Sequence, residues 1–225
     1  MKLAIDTSQS SGSIALWDKG KTVWSSCFDI RITHSETLMP QIDAAMKFCG
    51  YKPSDIETLL VTSGPGSFTG LRIGLATAKG MAYALKIPLL TYTSLHLYAL
   101  QRYHCGKDIL VALDAKMHEV YAALYNEKLE ELQPPQVCTQ QDILSWKPRE
   151  CYLIQKGVKS LESLTEENGL TFISVPDLPI SAAGLFLLEE IFPQPEVYDL
   201  DYVAHLEPNY LREHTAQIKG KNKII

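Results

Sequence analysis

Gly64-Pro-Gly-Ser-Phe-Thr-Gly-Leu-Arg-Ile-Gly-Leu-Ala-Thr-Ala-Lys-Gly-Met-Ala82 decides the fold, because it joins an apolar strand to a helix through a glycine turn. Its spacing excludes the two common phosphate-gripping loops. A P-loop needs a second glycine five positions after the first, then Lys and Ser or Thr; here that position is Thr69 and no lysine follows. A dinucleotide fingerprint places glycines at zero, two and five, and Thr69 fills the last slot. The free amides of the helix start keep only a generic attraction for anions. What the stretch does carry is a small residue at every fourth position: Gly66, Gly70, Gly74, Ala78 and Ala82. On a helix these form a flat stripe that another backbone can approach closely. Glycine inside a helix costs about 0.8–1 kcal/mol relative to alanine, so Gly70 and Gly74 require close packing in return. The rest of the helix is apolar nearly all round, broken only by Arg72, Thr77 and Lys79. A helix without a polar face is buried on two sides. One side is its own sheet; the other is an internal neighbour or a second protein chain.

Outward from this stretch, residues 2–6, Gly12–Trp17 and Thr22–Phe28 read as three strands, with Asp18-Lys-Gly20 as a hairpin turn. Thr33-His-Ser-Glu36 has capping-box spacing and opens a helix whose apolar face is Leu38, Ile42, Ala45, Met46 and Cys49, kinked at Pro40 and ended by Gly50. Thr58–Thr62 is a strand and the striped helix runs to about Leu85. Pro88–Thr91 is a further strand, after which Ser94 caps a helix to about Arg102. Three leading strands followed by crossover helices predict a mixed sheet flanked by helices, an α/β architecture. The second half starts the same way: Leu110–Asp114, a turn, then Glu119–Leu124 echo Leu3–Asp6, a turn, then Ser13–Leu16. Two such hairpins also arise independently, so the pattern alone leaves a duplication open. Further on, Thr139 caps a short helix, Cys151–Ile154 is a strand, Ser160–Asn168 is helical, and Ser181 caps a helix stopped by Pro193. The expected division is 1–105 and 106–225, with an irregular tail after Pro193.

Composition narrows the function. Net charge is −5, so the chain has little means of gripping a phosphate backbone itself, and its one basic run, Lys219–Lys223, lies at the end as a solubilising tail. The N-terminal apolar stretch stops at Asp6, too short for a signal peptide, and no apolar run reaches membrane-spanning length, so a cytoplasmic location without membrane contact is expected. Five scattered cysteines without metal or redox spacing read as reduced thiols.

Among candidate chemical residues, Asp6 closes the first strand, where a working nucleotide-binding lobe holds magnesium or phosphate, with Thr7 and Ser8 beside it; such an aspartate also simply satisfies a hairpin turn. Asp114 is its second-half counterpart, followed by Ala115 and Lys116. His34 would need a second histidine one helical turn on to hold a metal, and Leu38 stands there, so it reads as a helix-start residue and no metal site is expected. Arg72 either meets a partner carboxylate or is a solvated break in the helix. The histidines form no catalytic constellation.

Ala4-Ile-Asp-Thr7, His34-Ser-Glu36 with Leu38 and Pro40, the glycine turn with Leu71–Gly74 and Ala76–Gly80, Leu113-Asp-Ala115 with Glu119-Val-Tyr121, and the terminal Pro208-Asn-Tyr-Leu-Arg212 together resemble the TsaB (YeaZ) family of tRNA threonylcarbamoyladenosine biosynthesis. The resemblance is densest over residues 1 to about 125. It implies two ribonuclease-H-like lobes of the actin/Hsp70/sugar-kinase type, the second degenerate. It also implies a non-catalytic scaffold that pairs with the catalytic paralogue TsaD and recruits the ATPase TsaE. ATP and threonylcarbamoyl-adenylate are then used by the complex, tRNA is met only through it, and no cofactor stays bound to this chain alone. The partner or homodimer interface implied lies on the first two helices, at His34, Leu38, Ile42, Ala45, Cys49, Gly70, Arg72, Gly74, Thr77, Ala78, Met81 and Ala82. Gln155-Lys-Gly157 and Lys116 depart from the family pattern, which has Gly-x-Gly and arginine there. The alternatives are an ATP-dependent enzyme of the kinase/ATPase type, suggested by Asp6-Thr-Ser8, and a peptidase, which no motif supports.

Overall fold

In the computed structural model, residues 1–29, 34–146, 150–158, 161 and 171–211 are described. The strands β1 (Lys2–Asp6), β2 (Ser11–Asp18) and β3 (Lys21–Asp29) form an antiparallel meander; β4 (Thr58–Gly64) joins β1 in parallel and β5 (Leu89–Thr93) joins β4, giving the order β3-β2-β1-β4-β5. The second half repeats it. With β6 (Asp108–Asp114), β7 (Val120–Tyr125), β8 (Glu131–Cys138), β9 (Cys151–Lys156) and β10 (Phe172–Ser174), the order is β10-β9-β6-β7-β8, with the same sequence of antiparallel and parallel pairs. The duplication left open by two hairpins is thus carried by whole sheets, and the fold is the two-lobed ribonuclease-H-like α/β type. The second lobe is the reduced one, its last strand only three residues long.

Period-2 alternation splits each first strand between two cores. Leu3 and Ile5 of β1 face α1 (His34–Cys49) and α2 (Phe68–Leu85), whereas Ala4 faces the layer between the sheets. That middle layer holds α3 (Ser94–Ala99) and α5 (Gly184–Ile191), packed also on Ile109, Val111 and Leu113 of β6. Leu110 and Ala112 turn outward to α4 (Gln140–Ser145). The molecule is therefore five layers, with helices outside each sheet and between them.

Several local expectations shift. Helix α1 runs unbroken through Pro40, while its Thr33 cap and the helix expected at Ser160–Asn168 lie outside the described residues. Thr93, not Ser94, caps α3, because the Ser94 hydroxyl donates to the Pro65 carbonyl. Helix α5 starts at Gly184, and Ser181, two residues before its N-cap, accepts from the Ala183 amide at 3.3 Å and also sits against Ser25. Strand β8 was hidden by Pro134 and Pro135, which an edge strand tolerates. The described part of the tail, up to residue 211, carries a helix: α6 (Leu200–His205) packs on α2, and Lys79 donates to the carbonyls of Ala204 and Leu206. Everything from Glu196, bonded to Lys2 and Thr58, to Tyr210 thus returns to the first lobe rather than staying with the second.

The small-residue stripe of α2 faces inward. Gly70, Gly74, Ala78 and Ala82 are buried, Thr7 Oγ1 donates to the Gly70 carbonyl at 2.8 Å, and a Cβ on Gly74 would overlap Thr7 Oγ1. Gly80, on the opposite side, has nothing within 4 Å of where its Cβ would be. Gly74→Ala should therefore destabilise the fold by about 1–3 kcal/mol through overpacking, while Gly80→Ala should stabilise it by about 0.5–1 kcal/mol, both read from urea midpoints.

His96 joins the lobes. Its Nδ1 lies 2.9 Å from Thr93 Oγ1, and its ring packs on Tyr125 and Phe192. Burial drives its pKa down to about 4, against a smaller opposing effect of the Leu129 carbonyl. Between that value and the unfolded one near 6.5 the unfolded chain binds the proton more readily. Stability should accordingly rise with pH across this window, by on the order of 3 kcal/mol, and be complete above it. Glu131, pushed up by its own burial, acts in the opposite sense. Urea midpoints of His96→Gln against the parent between pH 4 and 7 isolate the histidine, and the variant should lose the rise.

Candidate functional site

Two places qualify: the turn after β1, where the fold would hold a nucleotide, and the outer faces of α1 and α2. At the first, the sequence ends β1 on Asp6 and follows it with two hydroxyl residues, and all three side chains are buried. Asp6 Oδ1 accepts from the Ser8 amide at 3.0 Å and from the Thr62 hydroxyl at 2.6 Å. The carboxylate is thus tied to its own turn and to β4. Thr7 is spent on Gly70, and the Ser8 carbonyl accepts from the Ser67 amide at 2.7 Å. A Cβ on Gly66 would overlap that carbonyl. The glycine turn is therefore seated on the loop that would otherwise embrace a phosphate, and the helix-start amide of Ser67 is already used.

The equivalent turn of the second lobe is built differently. Asp114 accepts from the Lys116 amide at 2.8 Å and pairs with its ammonium, and these bonds hold its carboxyl below the usual range. Lys116, Met117 and His118 follow one another in the left-handed region, at φ of 65°, 56° and 66°, which costs about 1–2 kcal/mol per residue. Gly157 packs its Cα side against Asp114. Between the turns lies an open cleft of about 440 Å³ whose lining includes Ser8, Ser67, Lys116 and Lys156. Behind it, Tyr98 is buried in the middle layer, its phenol pushed up by burial and by the nearby charges of Asp6 and Asp177. Among the described residues, no group of three or more His, Cys, Asp and Glu side chains gathers as a metal site.

On the helices, the expected interface residues divide. Leu38, Ile42, Ala45, Gly70, Gly74, Ala78 and Ala82 are buried in the first lobe's own core, so direct contact with another chain is corrected for them. Cys49, Thr77 and Met81 are half-buried, Arg72 is exposed, and the side chain of His34 lies outside the described residues. The reason is geometric: the stripe that lets a backbone approach is filled by Thr7 and the sheet. Sequence reading missed a second small-residue row on the same helix, Ala76, Gly80 and Ala84, also four apart and all exposed. Tyr83 on the same helix is 63% exposed; on α1, Met39 is 47% and Phe48 78% exposed, Phe48 lying against Trp24 of β3. On the other side of the row the terminal segment closes against Arg72: the guanidinium lies 3.7 Å from the Phe68 ring centroid, and its Nε donates to Tyr210 Oη at 2.7 Å. The signal for that contact was in the sequence as Pro208-Asn-Tyr-Leu-Arg212, but nothing local said where it docks.

Asp6→Ala should cost the fold about 1–3 kcal/mol by leaving the Ser8 amide and Thr62 hydroxyl without their acceptor. The loss is read from urea denaturation, and calorimetry with ATP and Mg²⁺ should show the same signal for variant and parent.

Residues 30–218 match the protein family described as "TsaD: tRNA N6-adenosine threonylcarbamoyltransferase". The chain is 35% identical over 137 residues to the tRNA threonylcarbamoyladenosine biosynthesis protein TsaB of Bacillus subtilis, covering 60% of each chain. To the Escherichia coli TsaB it is 29% identical over 98% of both chains. Among solved structures, a Pseudomonas aeruginosa protein described as similar to peptidase YEAZ shares the fold, with a TM-score of 0.77, 22% identity and coverage of 94% of this chain and 99% of that one. YeaZ from Pseudomonas aeruginosa superposes with a TM-score of 0.71 at 25% identity, covering 84% of this chain and 91% of that one. With one family matched across most of its length and TsaB proteins matched nearly end to end, the chain belongs to the TsaB (YeaZ) family of tRNA threonylcarbamoyladenosine biosynthesis.

Proposed function

We propose that the chain is a non-catalytic scaffold of the tRNA threonylcarbamoyladenosine complex, which pairs through α1 and α2 with the transferase subunit TsaD and helps recruit the ATPase TsaE. One observation supports it above others: the turn that would bind a nucleotide is bonded to its own helix start, while the same helix turns an exposed small-residue row outward. In the first turn the Asp6 carboxylate, the Thr7 hydroxyl and the Ser8 carbonyl are engaged in bonds within the lobe, which favours a structural use of that turn over positioning a phosphoryl transfer. An exposed row of small residues with an exposed Tyr83 beside it on α2, in contrast, is what a partner chain can cover. The family match supports the identity of the partner, since this chain matches the transferase family and so shares its fold with the transferase. Two related helix pairs facing each other make a pseudo-symmetric bundle.

In this reading ATP and threonylcarbamoyl-adenylate belong to the complex, tRNA is reached through it, and the work takes place in the cytoplasm. Alone, the chain covers the same face by pairing with a second copy. The open position at residue 80 provides the test. Gly80→Arg should leave the melting temperature within a few degrees of the parent and abolish co-elution with the matching TsaD subunit, because a long cation replaces the point of closest approach. Reconstituted tRNA modification should then fall to the level seen without this chain. Co-elution unaffected by Gly80→Arg, or full modification without the chain, overturns the proposal.

A further inference from the structure

Arg72 is the one cation on α2 whose charged end is held in place while its outer edge stays open. Lys79, the helix's other cation, spends its ammonium on the carbonyls that end α6. Arg72 instead is clamped from two directions, lying flat on Phe68 and donating Nε to Tyr210. Phe68 and Tyr210 are themselves in contact, their centroids 5.3 Å apart. The clamp is anchored to the sheet: the Asn209 amide donates to the Ser63 carbonyl at 2.7 Å, and the Asn209 carbonyl lies 3.1 Å from where a Cβ on Gly64 would be. Only a glycine, there at φ +115°, lets the segment come that close. The terminal nitrogens of the guanidinium have no hydrogen-bond or ion-pair partner among the described residues. They open onto a groove of about 540 Å³ between α2 and the segment, lined by Ala76, Lys79, Glu207, Pro208 and Tyr210.

We infer that the terminal segment around Tyr210 completes the partner-binding surface, by presenting Arg72 as a pre-ordered anchor for a carboxylate on the docking helix of the partner. The inference rests on the proposed pairing through α2, and it names the chemistry the partner brings. An arginine already stacked and bonded loses little further freedom on binding, which is what distinguishes an anchor from a mobile surface cation. Its planar fork fits a carboxylate with two parallel bonds. The groove's two cations against one acid, Glu207, favour an acidic visitor. Ala76, one turn along α2, leaves room for the visitor's backbone. Tyr210 is here a positioning residue, acting through Arg72.

The test measures affinity of the full-length chain for the matching TsaD subunit by calorimetry at two salt concentrations. Arg72→Met should weaken pairing about tenfold or more, the size expected when a central arginine is removed from an interface. Arg72→Lys should fall between, because an ammonium cannot reproduce the fork. Tyr210→Phe keeps the ring on Phe68 but loses the acceptor, and should weaken pairing several-fold with an unchanged melting temperature. Arg72→Met should also flatten the salt dependence, which a merely structural role would leave alone. Gly80→Arg serves as the reference. If it abolishes pairing while Arg72→Met binds within twofold of the parent, the face stands and the anchor is overturned. If Gly80→Arg is itself silent, the pairing face fails and the inference with it. Unchanged pairing with weakened retention of tRNA by the complex would reassign Arg72 to a phosphate. Loss of self-association alone would reassign it to a second copy. Either overturns the carboxylate.

Discussion

The close approach of the turn after β1 to the start of α2 governs the rest of the molecule. Three bonds make it: the Thr7 hydroxyl to the Gly70 carbonyl, the Ser67 amide to the Ser8 carbonyl, and the Asp6 carboxylate back to its own turn. Two missing side chains permit it, at Gly66 and Gly74. Bonds of this kind contribute about 1 kcal/mol each, and Gly74 gives up a comparable amount of helix propensity at a buried position. The contact therefore stabilises the fold modestly, and its larger effect is on what the site can do. Atoms that would surround a phosphate are turned onto the protein itself, and α2 is fixed with one small-residue row against the sheet and another facing out.

The duplication makes the comparison of the two lobes a controlled one. Both sheets have the same order and both lead strands end in Asp. In the first lobe that carboxylate is buried and bonded to backbone and threonine; in the second it is nearer solvent and neutralised by the lysine two residues on. Different chemistry thus holds the same aspartate in the two turns. The second turn uses a local ion pair and a run of left-handed residues. Among the described residues, this lobe has a short last strand and a six-residue helix outside its sheet.

What could be read from sequence follows what is local. Strand alternation, the hairpin at Asp18-Lys-Gly20 and the four-residue period of α2 act through neighbours in the chain, and all reappeared in the structure. The period also showed that α2 has two working sides. It could not show which of two small-residue rows faces which side, because Gly74 and Gly80 look alike until Thr7 is placed beside one of them. The interface residues named from the stripe were displaced inward for that reason. Strand β8 was lost to Pro134 and Pro135, whose meaning depends on being at a sheet edge. The terminal segment was lost because its partners, Ser63, Phe68 and Arg72, precede it by well over a hundred residues.

That last contact changes what the glycine turn is for. Gly66 accommodates the Ser8 carbonyl on one side of the turn and Gly64 accommodates the Asn209 carbonyl on the other, so a single loop is gripped by the beginning and the end of the chain. The segment that reaches it has already crossed the second lobe and passed α5, whose Glu189 holds Lys2 of β1. The exposed side of α2 is thereby framed by residues from both ends of the chain. The clamp on Arg72 joins Phe68, which precedes the second lobe in sequence, to Tyr210, which follows it, so α2 without the returning segment lacks the clamp. The second lobe thus has a structural part that needs no chemistry of its own: it spans the chain between α2 and the segment that docks on it.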